Sequence, residues 1–349
     1  MHNLSIIAGM RLFPNPARPG VAHLLSIGDL DPVEILEIVE HARALKAGPD
    51  PMLPRGGPLA GRNVALIFEK PSLRTRVSFE VGIRRLGGAT TTLTGAEVGV
   101  GSRETPEDVA RSLSRYVDAI VIRMLSHTTL IRLAAASEVP VVNALSEHEH
   151  PCQALADLVT LQEQLGGFRN RTLAFVGDGN NVCHSLLLAG AAIGLNVRVA
   201  SPRGYEPDPA VVQHAIALGR RTGAGIEVLQ DPTAAVRGAD AVYTDVWASM
   251  GDEAEVAERR RAFVPYRLTT ELLRAAPDAV VMHCLPAHRG EEVDADVIDG
   301  PQSVVFDQAE NRLYAQQALL LLLLRQGRFG VAERRTAPAA AVRGVAIPY

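Results

Sequence analysis

Short apolar runs alternate with amphipathic stretches along most of the chain. Val64–Phe68, Thr90–Leu93, Asp118–Ile122 and Val139–Val142 have the length and composition of strands. Between them, Arg76–Leu86, Thr105–Tyr116 and His127–Ser137 carry apolar residues at helical spacing. Asp29–Ala47 predicts a helix ahead of the first strand, with Asp31 as its cap and Pro32 in the first turn. Pro151–Leu165 predicts another, ended by Gly166-Gly167. The pattern then repeats. Thr172–Val176, Asn196–Ala200, Ile226–Leu229, Ala241–Thr244, Ala279–Met282 and Ser303–Phe306 predict strands, with helices between most of them. Ala309–Gln326 predicts a long final helix. Its apolar run Ala318–Leu324 is too short to span a bilayer and reads as buried.

Strands that alternate with helices argue for parallel sheets with helices on both faces. The chain has 349 residues, too many for one typical core, so two such units are expected, meeting near Gly166. The fold class is therefore α/β, with two parallel-sheet domains. Gly48–Gly61 is rich in Pro and Gly and reads as a loop. Residues 1–22, with Pro14, Pro16 and Pro19, form an expected loose extension, and 327–349 an expected mobile tail.

Composition narrows the function classes. Hydrophobic residues at 47% and charged residues at 21% fit a soluble globular protein. A net charge of -4, with no basic stripe, argues against a nucleic-acid partner. Leu4–Met10 is too short for the core of a signal peptide. Cys152, Cys183 and Cys284 are odd in number and far apart, which suits a reducing compartment, so the cytoplasm is the expected location.

The candidate chemistry starts at Phe68–Glu80. Pro71-Ser72 falls at a strand-to-helix turn, with Ser72 as the natural cap. A first helical turn favours acidic residues, because its unpaired N–H groups are electropositive. This one holds Arg74 and Arg76. With Ser72, Thr75 and the free N–H groups, including that of Leu73, they predict a phosphate site rather than two solvated arginines. Arg123 ends a predicted strand and alone would read as surface. His148-Glu149-His150-Pro151-Cys152-Gln153 precedes a helix; it reads as a polar loop or, on His-x-His plus Cys, as a weak metal motif. Gly177-Asp178-Gly179-Asn180-Asn181 opens like a dinucleotide fingerprint. Val182 stands where the third Gly belongs, however, and no acidic residue ends the next strand. Asp245-Val246-Trp247-Ala248-Ser249-Met250-Gly251 and His283-Cys284-Leu285-Pro286 follow strands, and Cys284 reads as a buried inert thiol or a nucleophile. Glu310-Asn311-Arg312 sets another arginine in an expected first turn.

Ser72-Leu73-Arg74-Thr75-Arg76 resembles the Ser-Thr-Arg-Thr-Arg signature of the aspartate/ornithine carbamoyltransferase family, with Leu73 in place of Thr. His150-Pro151-Cys152-Gln153 resembles its His-Pro-x-Gln signature. Asp245 to Gly251 resembles the Asp-x-x-x-Ser-Met-Gly loop of its ornithine branch, and His283-Cys284-Leu285-Pro286 matches in the same order. The match runs from about His23 to Gln326. The resemblance implies that Ser72, Leu73, Arg74, Thr75 and Arg76 bind the phosphate of carbamoyl phosphate. It implies that Arg123, His150 and Arg312 face the carbonyl oxygen, where attack by an amine builds negative charge. It assigns the carbamoyl amide to Gln153 and the Leu285 carbonyl, and the amino-acid substrate to Asn181, Asp245, Ser249 and Met250. Cys284 is placed beside the attacking amine.

The resemblance further implies a carbamoyl-phosphate domain at 23–165, joined by the helix 309–326, and an ornithine domain at 166–308, with the site in the cleft between them. It implies small-molecule substrates, no metal or organic cofactor, no nucleic acid or membrane partner, and a homotrimer. Alternatives are a family member acting on putrescine or N-acetylornithine, a nicotinamide-dependent dehydrogenase, and a catalytically silent binding or regulatory paralogue.

Overall fold

The computed structural model of the chain describes residues 21–48, 56–248 and 255–334. Its strands are β1 (Asn63–Phe68), β2 (Ala89–Thr94), β3 (Ala119–Arg123), β4 (Val141–Leu145), β5 (Thr172–Val176), β6 (Asn196–Ala200), β7 (Ile226–Leu229), β8 (Ala241–Thr244) and β9 (Val280–His283). They form two sheets, ordered β2-β1-β3-β4 and β7-β6-β5-β8-β9. Every strand pair is parallel. Central strands are continuously apolar because helices cover both their faces: β4 and β5 are buried along their whole length. The edge strand β2 is half exposed and carries four threonines, which suit a strand wetted on one side.

Each sheet reverses its winding once, between β1 and β3 in the first and between β5 and β8 in the second. Crevices outside the carboxyl ends of strands at such reversals are where open α/β sheets bind ligands. The segments Ser72–Arg76, Arg123, Gly177–Asn181 and Asp245 follow or end these four strands.

Two helices join the halves. Pro151–Leu165 is buried on every side from Pro151 to Leu161, as a helix between two layers must be. Val305–Arg334 packs on it and on the helices Pro32–Ala47 and Leu73–Arg85 of the first half. Ala318, Leu319, Leu320, Leu323 and Leu324 of this last helix are buried, in a core that runs without a break from Ile35 and Phe79 to Phe175 and Tyr243.

Most elements stand where periodicity puts them, and β5, β6, β7, β8 and the helix Pro151–Leu165 match residue for residue. Two expectations are corrected. Ser303–Phe306 is not a strand. Ser303 makes one bridge to Val281 of β9, and the final helix starts at Val305. Val304 and Val305 are buried there while Phe306 is exposed, so a short apolar run served a helix start. As a result Arg312 lies well past the first turn of its helix, and no helix end accounts for its charge. The expected N-terminal extension up to Gly20, the loop residues 49–55, Ser249, Met250 and the tail from 335 lie outside the described residues.

Candidate active site

Asp31 caps its helix through both Val33 N and Glu34 N, as its position predicts. Ser72 departs from that pattern. It holds the N-cap position of Leu73–Arg85, yet its side chain makes no cap bond. Its hydroxyl instead accepts from Nη1 of Arg123 at 3.1 Å. The unpaired N–H groups of this helix start therefore remain available.

Arg74 and Arg123 line a cavity of about 340 Å³ between the two sheets, and Arg312 lines it from the final helix. The Nε atoms of all three arginines are buried and have no partner among the described residues. Burial, then the neighbouring Arg312, lowers the Arg123 guanidinium to about 10, and burial likewise lowers Arg312. Three guanidinium groups around one cavity create a strong field for an anion. Thr75 is fully buried and accepts from Nη2 of Arg312, so it holds that arginine rather than lining the cavity. Arg76 is not at the cavity. Its side chain is half exposed and pairs with Glu80 at 2.9 Å, one helical turn on. Leu73 lines the cavity and is 74% exposed.

His150 and Gln153 enter from the start of Pro151–Leu165. The His150 backbone N–H donates to Ser185 Oγ at 2.9 Å. Its Nδ1 is buried without a partner among the described residues, and burial followed by Arg312 and Arg123 holds the imidazole well below its usual value. It is therefore neutral at pH 7 and has a single ring N–H to donate. Gln153 donates Nε2 to Asp157 at 2.8 Å, while its Oε1 is buried and unpartnered.

The opposite wall comes from the second sheet. Asp245, just past β8, accepts from the Cys284 thiol at 2.9 Å and the Val246 N–H at 2.8 Å on Oδ1. Its Oδ2 accepts from Asn180 Nδ2 at 2.9 Å. Burial and the adjacent Asp245 carboxylate push the Cys284 thiol well above its usual value, so it stays protonated. That removes the thiolate a covalent nucleophile needs. Asn181 donates Nδ2 to the Ser146 carbonyl at 2.6 Å and lines the cavity. Leu285 stands at φ 58, a region rare for a side-chain-bearing residue, and its N–H donates to His283 Nδ1 at 2.9 Å. His283 Nε2 faces Glu292 at 3.1 Å. Asp245, His283 and Cys284 bring possible metal-ligand atoms together, but both His283 nitrogens are already engaged. The weak His148–His150–Cys152 motif does not gather as a ligand set among the described residues; Cys152 bonds the Asn143 carbonyl.

The Gly177–Asn181 loop also differs from a dinucleotide cradle. A Cβ on Gly179 would lie 2.2 Å from Pro207 N, so this glycine admits the chain's own 206–207 segment.

The structure thus brings Ser72, Leu73, Arg74, Arg123, His150, Gln153, Asn181, Asp245, Cys284, Leu285 and Arg312 to one cavity. Leu125 and Glu147 also line it and carried no sequence signal.

A two-domain α/β cleft with a guanidinium cluster on one wall and a carboxylate–thiol pair on the other suits an anionic group held against a cationic one. Residues 22–163 match the carbamoyl-phosphate-binding domain model of the aspartate/ornithine carbamoyltransferases, and 169–323 match their Asp/Orn-binding domain model. An ornithine carbamoyltransferase of Parafrankia sp. is 55% identical over 89% of this chain and 99% of its own length. One from Methanothermobacter thermautotrophicus is 52% identical over 86% of this chain and 98% of its own. Among solved structures, the ornithine carbamoyltransferase of Pyrococcus furiosus superposes with a TM-score of 0.83 at 47% identity, over 88% of this chain and 99% of that one. The chain belongs to the aspartate/ornithine carbamoyltransferase family.

Proposed function

We propose that this chain transfers the carbamoyl group of carbamoyl phosphate to the δ-amino group of L-ornithine, giving L-citrulline and phosphate. One observation carries the reading: Arg74, Arg123 and Arg312, each with a buried Nε that has no partner among the described residues, line the cavity whose other wall holds Asp245 beside Cys284. The high identity to ornithine carbamoyltransferases over almost their whole length supports it.

On this reading Arg74 and the N–H groups at Leu73–Thr75 hold the phosphate. Arg123, neutral His150 and Arg312 donate to the carbonyl oxygen, and these preorganised donors gain strength as attack builds charge there. Gln153 Oε1 and the Leu285 carbonyl accept from the carbamoyl amide. Asp245 pairs with the α-ammonium of ornithine. Asn181 and the Ser249–Met250 loop take its carboxylate. The neutral δ-amine forms the C–N bond, the C–O bond to phosphate breaks, and the departing phosphate can accept the amine's proton. Holding both reactants in attack geometry supplies much of the rate. Carbamoyl phosphate binds first and the domains close, which keeps water from a labile acyl phosphate. No cofactor enters this scheme.

The working unit on this reading is a cytoplasmic homotrimer. Leu73 and Val77, apolar, exposed and one turn apart on the helix Leu73–Arg85, support the assembly. No described helix is long and apolar enough to cross a membrane. The test is citrulline formation from carbamoyl phosphate and L-ornithine by the purified protein. A folded protein that binds carbamoyl phosphate yet makes no citrulline would exclude the activity.

A further inference from the structure

Asp157 is a charged residue in the middle of a helix that is buried on every side, and none of the roles above uses it. It lies one turn beyond Gln153, so both project from the same helix face. Its Oδ1 accepts two amides at once. Gln153 Nε2 donates to it at 2.8 Å and Gln308 Nε2 at 2.7 Å. Gln308 stands in the first turn of the final helix, and its own Oε1 accepts the His283 N–H at 2.9 Å, one residue before Cys284.

A carboxyl oxygen that carries no proton can only accept, and Oδ1 is such an oxygen whether or not Oδ2 is protonated, whereas a primary amide presents a donor on one side and an acceptor on the other. Asp157 Oδ1 therefore chooses which side of each amide faces it. Here both nitrogens turn inward to Asp157, and both oxygens turn outward. The Gln308 oxygen meets a backbone N–H. The Gln153 oxygen is left buried and without a partner among the described residues, on a side chain that lines the cavity.

Burying a carboxylate is costly, and hydrophobic side chains could fill the same space. Burial raises Asp157 to about 7, against hydrogen bonds from Gln153, Gln308 and Tyr243 that lower it. A carboxyl group placed there calls for a use.

We infer that Asp157 is a positioning residue that fixes the Gln153 amide with its oxygen toward the cavity, so that the site recognises the donor N–H groups of a carbamoyl rather than any acyl phosphate. This inference rests on the carbamoyl-transfer reading. Without the carboxylate, Gln153 can turn its NH2 toward the substrate NH2, and two donors then oppose each other. Acetyl phosphate carries a methyl group where carbamoyl phosphate carries NH2, so it is the probe that separates recognition from general damage.

The experiment measures binding of carbamoyl phosphate, acetyl phosphate and inorganic phosphate to the full-length wild type, Asp157→Asn, Gln153→Ala and the double variant. Asn keeps the shape of Asp157 but presents a donor as well as an acceptor. The expected result is that Asp157→Asn weakens carbamoyl phosphate about tenfold, the size of one lost hydrogen bond. Acetyl phosphate and inorganic phosphate should stay within about twofold of wild type, since they make no such bond. Gln153→Ala should show the same selectivity loss, and the double variant should add little to either, because the two residues act as one unit. Should Asp157→Asn not fold, Asp157→Ser undergoes the same titrations. Equal weakening of all three ligands, or full additivity in the double variant, would overturn the inference. A wild type that does not prefer carbamoyl over acetyl phosphate would instead overturn the reading beneath it.

Discussion

Arg74 and Arg76 stand two residues apart in one motif, and the helix sends them to different places. Arg74 lines the cavity with its Nε unpartnered, whereas Arg76 turns outward to Glu80. Arg74→Ala is expected to lower kcat/KM by about 2 to 4 kcal/mol in transition-state terms, the scale of a lost charge-assisted donor. Arg76→Ala should cost far less, and Leu73→Thr should be tolerated because the Leu73 side chain is exposed. Steady-state kinetics on the three variants checks this. An equal loss at Arg76 would mean that it leaves Glu80 to reach the phosphate. Cys284 makes a second residue-scale case. Its thiol is held protonated against Asp245, so Cys284→Ala should lower activity without abolishing it. Mass spectrometry of the quenched wild-type reaction should find no carbamoylated Cys284, and finding it would defeat the direct-attack scheme. Most of these residues were legible because each sits at a strand end or helix start, where sequence pattern and chemistry coincide. Arg312 was singled out by resemblance and by an expected first turn, but the helix starts at Val305, so that local ground falls away. The second partner of each buried group, such as Gln308 for Asp157, was not legible, because 151 positions separate them.

Among elements, the helix Pro151–Leu165 and the loop before it carry the buried polar groups that set the site. Glu149 accepts from the Ile27 N–H and from Ser185 Oγ, both at 3.0 Å, and Ser185 Oγ in turn accepts from the His150 N–H. Burial raises Glu149 to about 7. Burial, with His148 beside His127 and His184 beside His148, lowers His127 and His148 to about 4 each. These shifts oppose one another. Raised Glu149 and Asp157 keep protons that the unfolded chain releases, so they cost stability as pH rises from about 4 toward 7. The lowered histidines refuse protons that the unfolded chain binds, so they cost stability as pH falls from about 6.5 toward 4. The wild type should thus be less pH-sensitive in that window than its histidines alone would make it. Glu149→Gln removes one opposing slope, and its stability should fall more steeply on acidification from about pH 6.5 to 4.5. Urea unfolding across that range checks the slope, and a shallower one would contradict the assignment. The helix itself was legible to the residue, but which of its faces is solvated was not. A helix buried all round has no polar stripe, so nothing in the pattern singled out Asp157. The strand expected at Ser303–Phe306 failed for a related reason: four residues are too few to show a period.

At the scale of the molecule, two sheets present their winding reversals to one crevice, so that the anion wall and the amino-acid wall come from different halves. The alternation of strands and helices made the two-sheet architecture legible. The strand order was not, because it depends on which edge each crossover joins. The central claim is that Asp245 and its neighbours select an amino acid with a free α-amino group and carboxylate, and leave its δ-amine to attack. An alkyl amine titrates near about 10.4, so activity should rise from neutral to mildly alkaline pH as more of it is unprotonated. The most direct measurement is parallel steady-state rates with carbamoyl phosphate and four amines: L-ornithine, putrescine, N-acetylornithine and L-aspartate. The account predicts that L-ornithine is strongly preferred over putrescine, which lacks the carboxylate, and over N-acetylornithine, whose α-nitrogen cannot pair with Asp245. L-aspartate should not react. A kcat/KM for putrescine or N-acetylornithine equal to that for L-ornithine would contradict both the Asp245 assignment and the substrate.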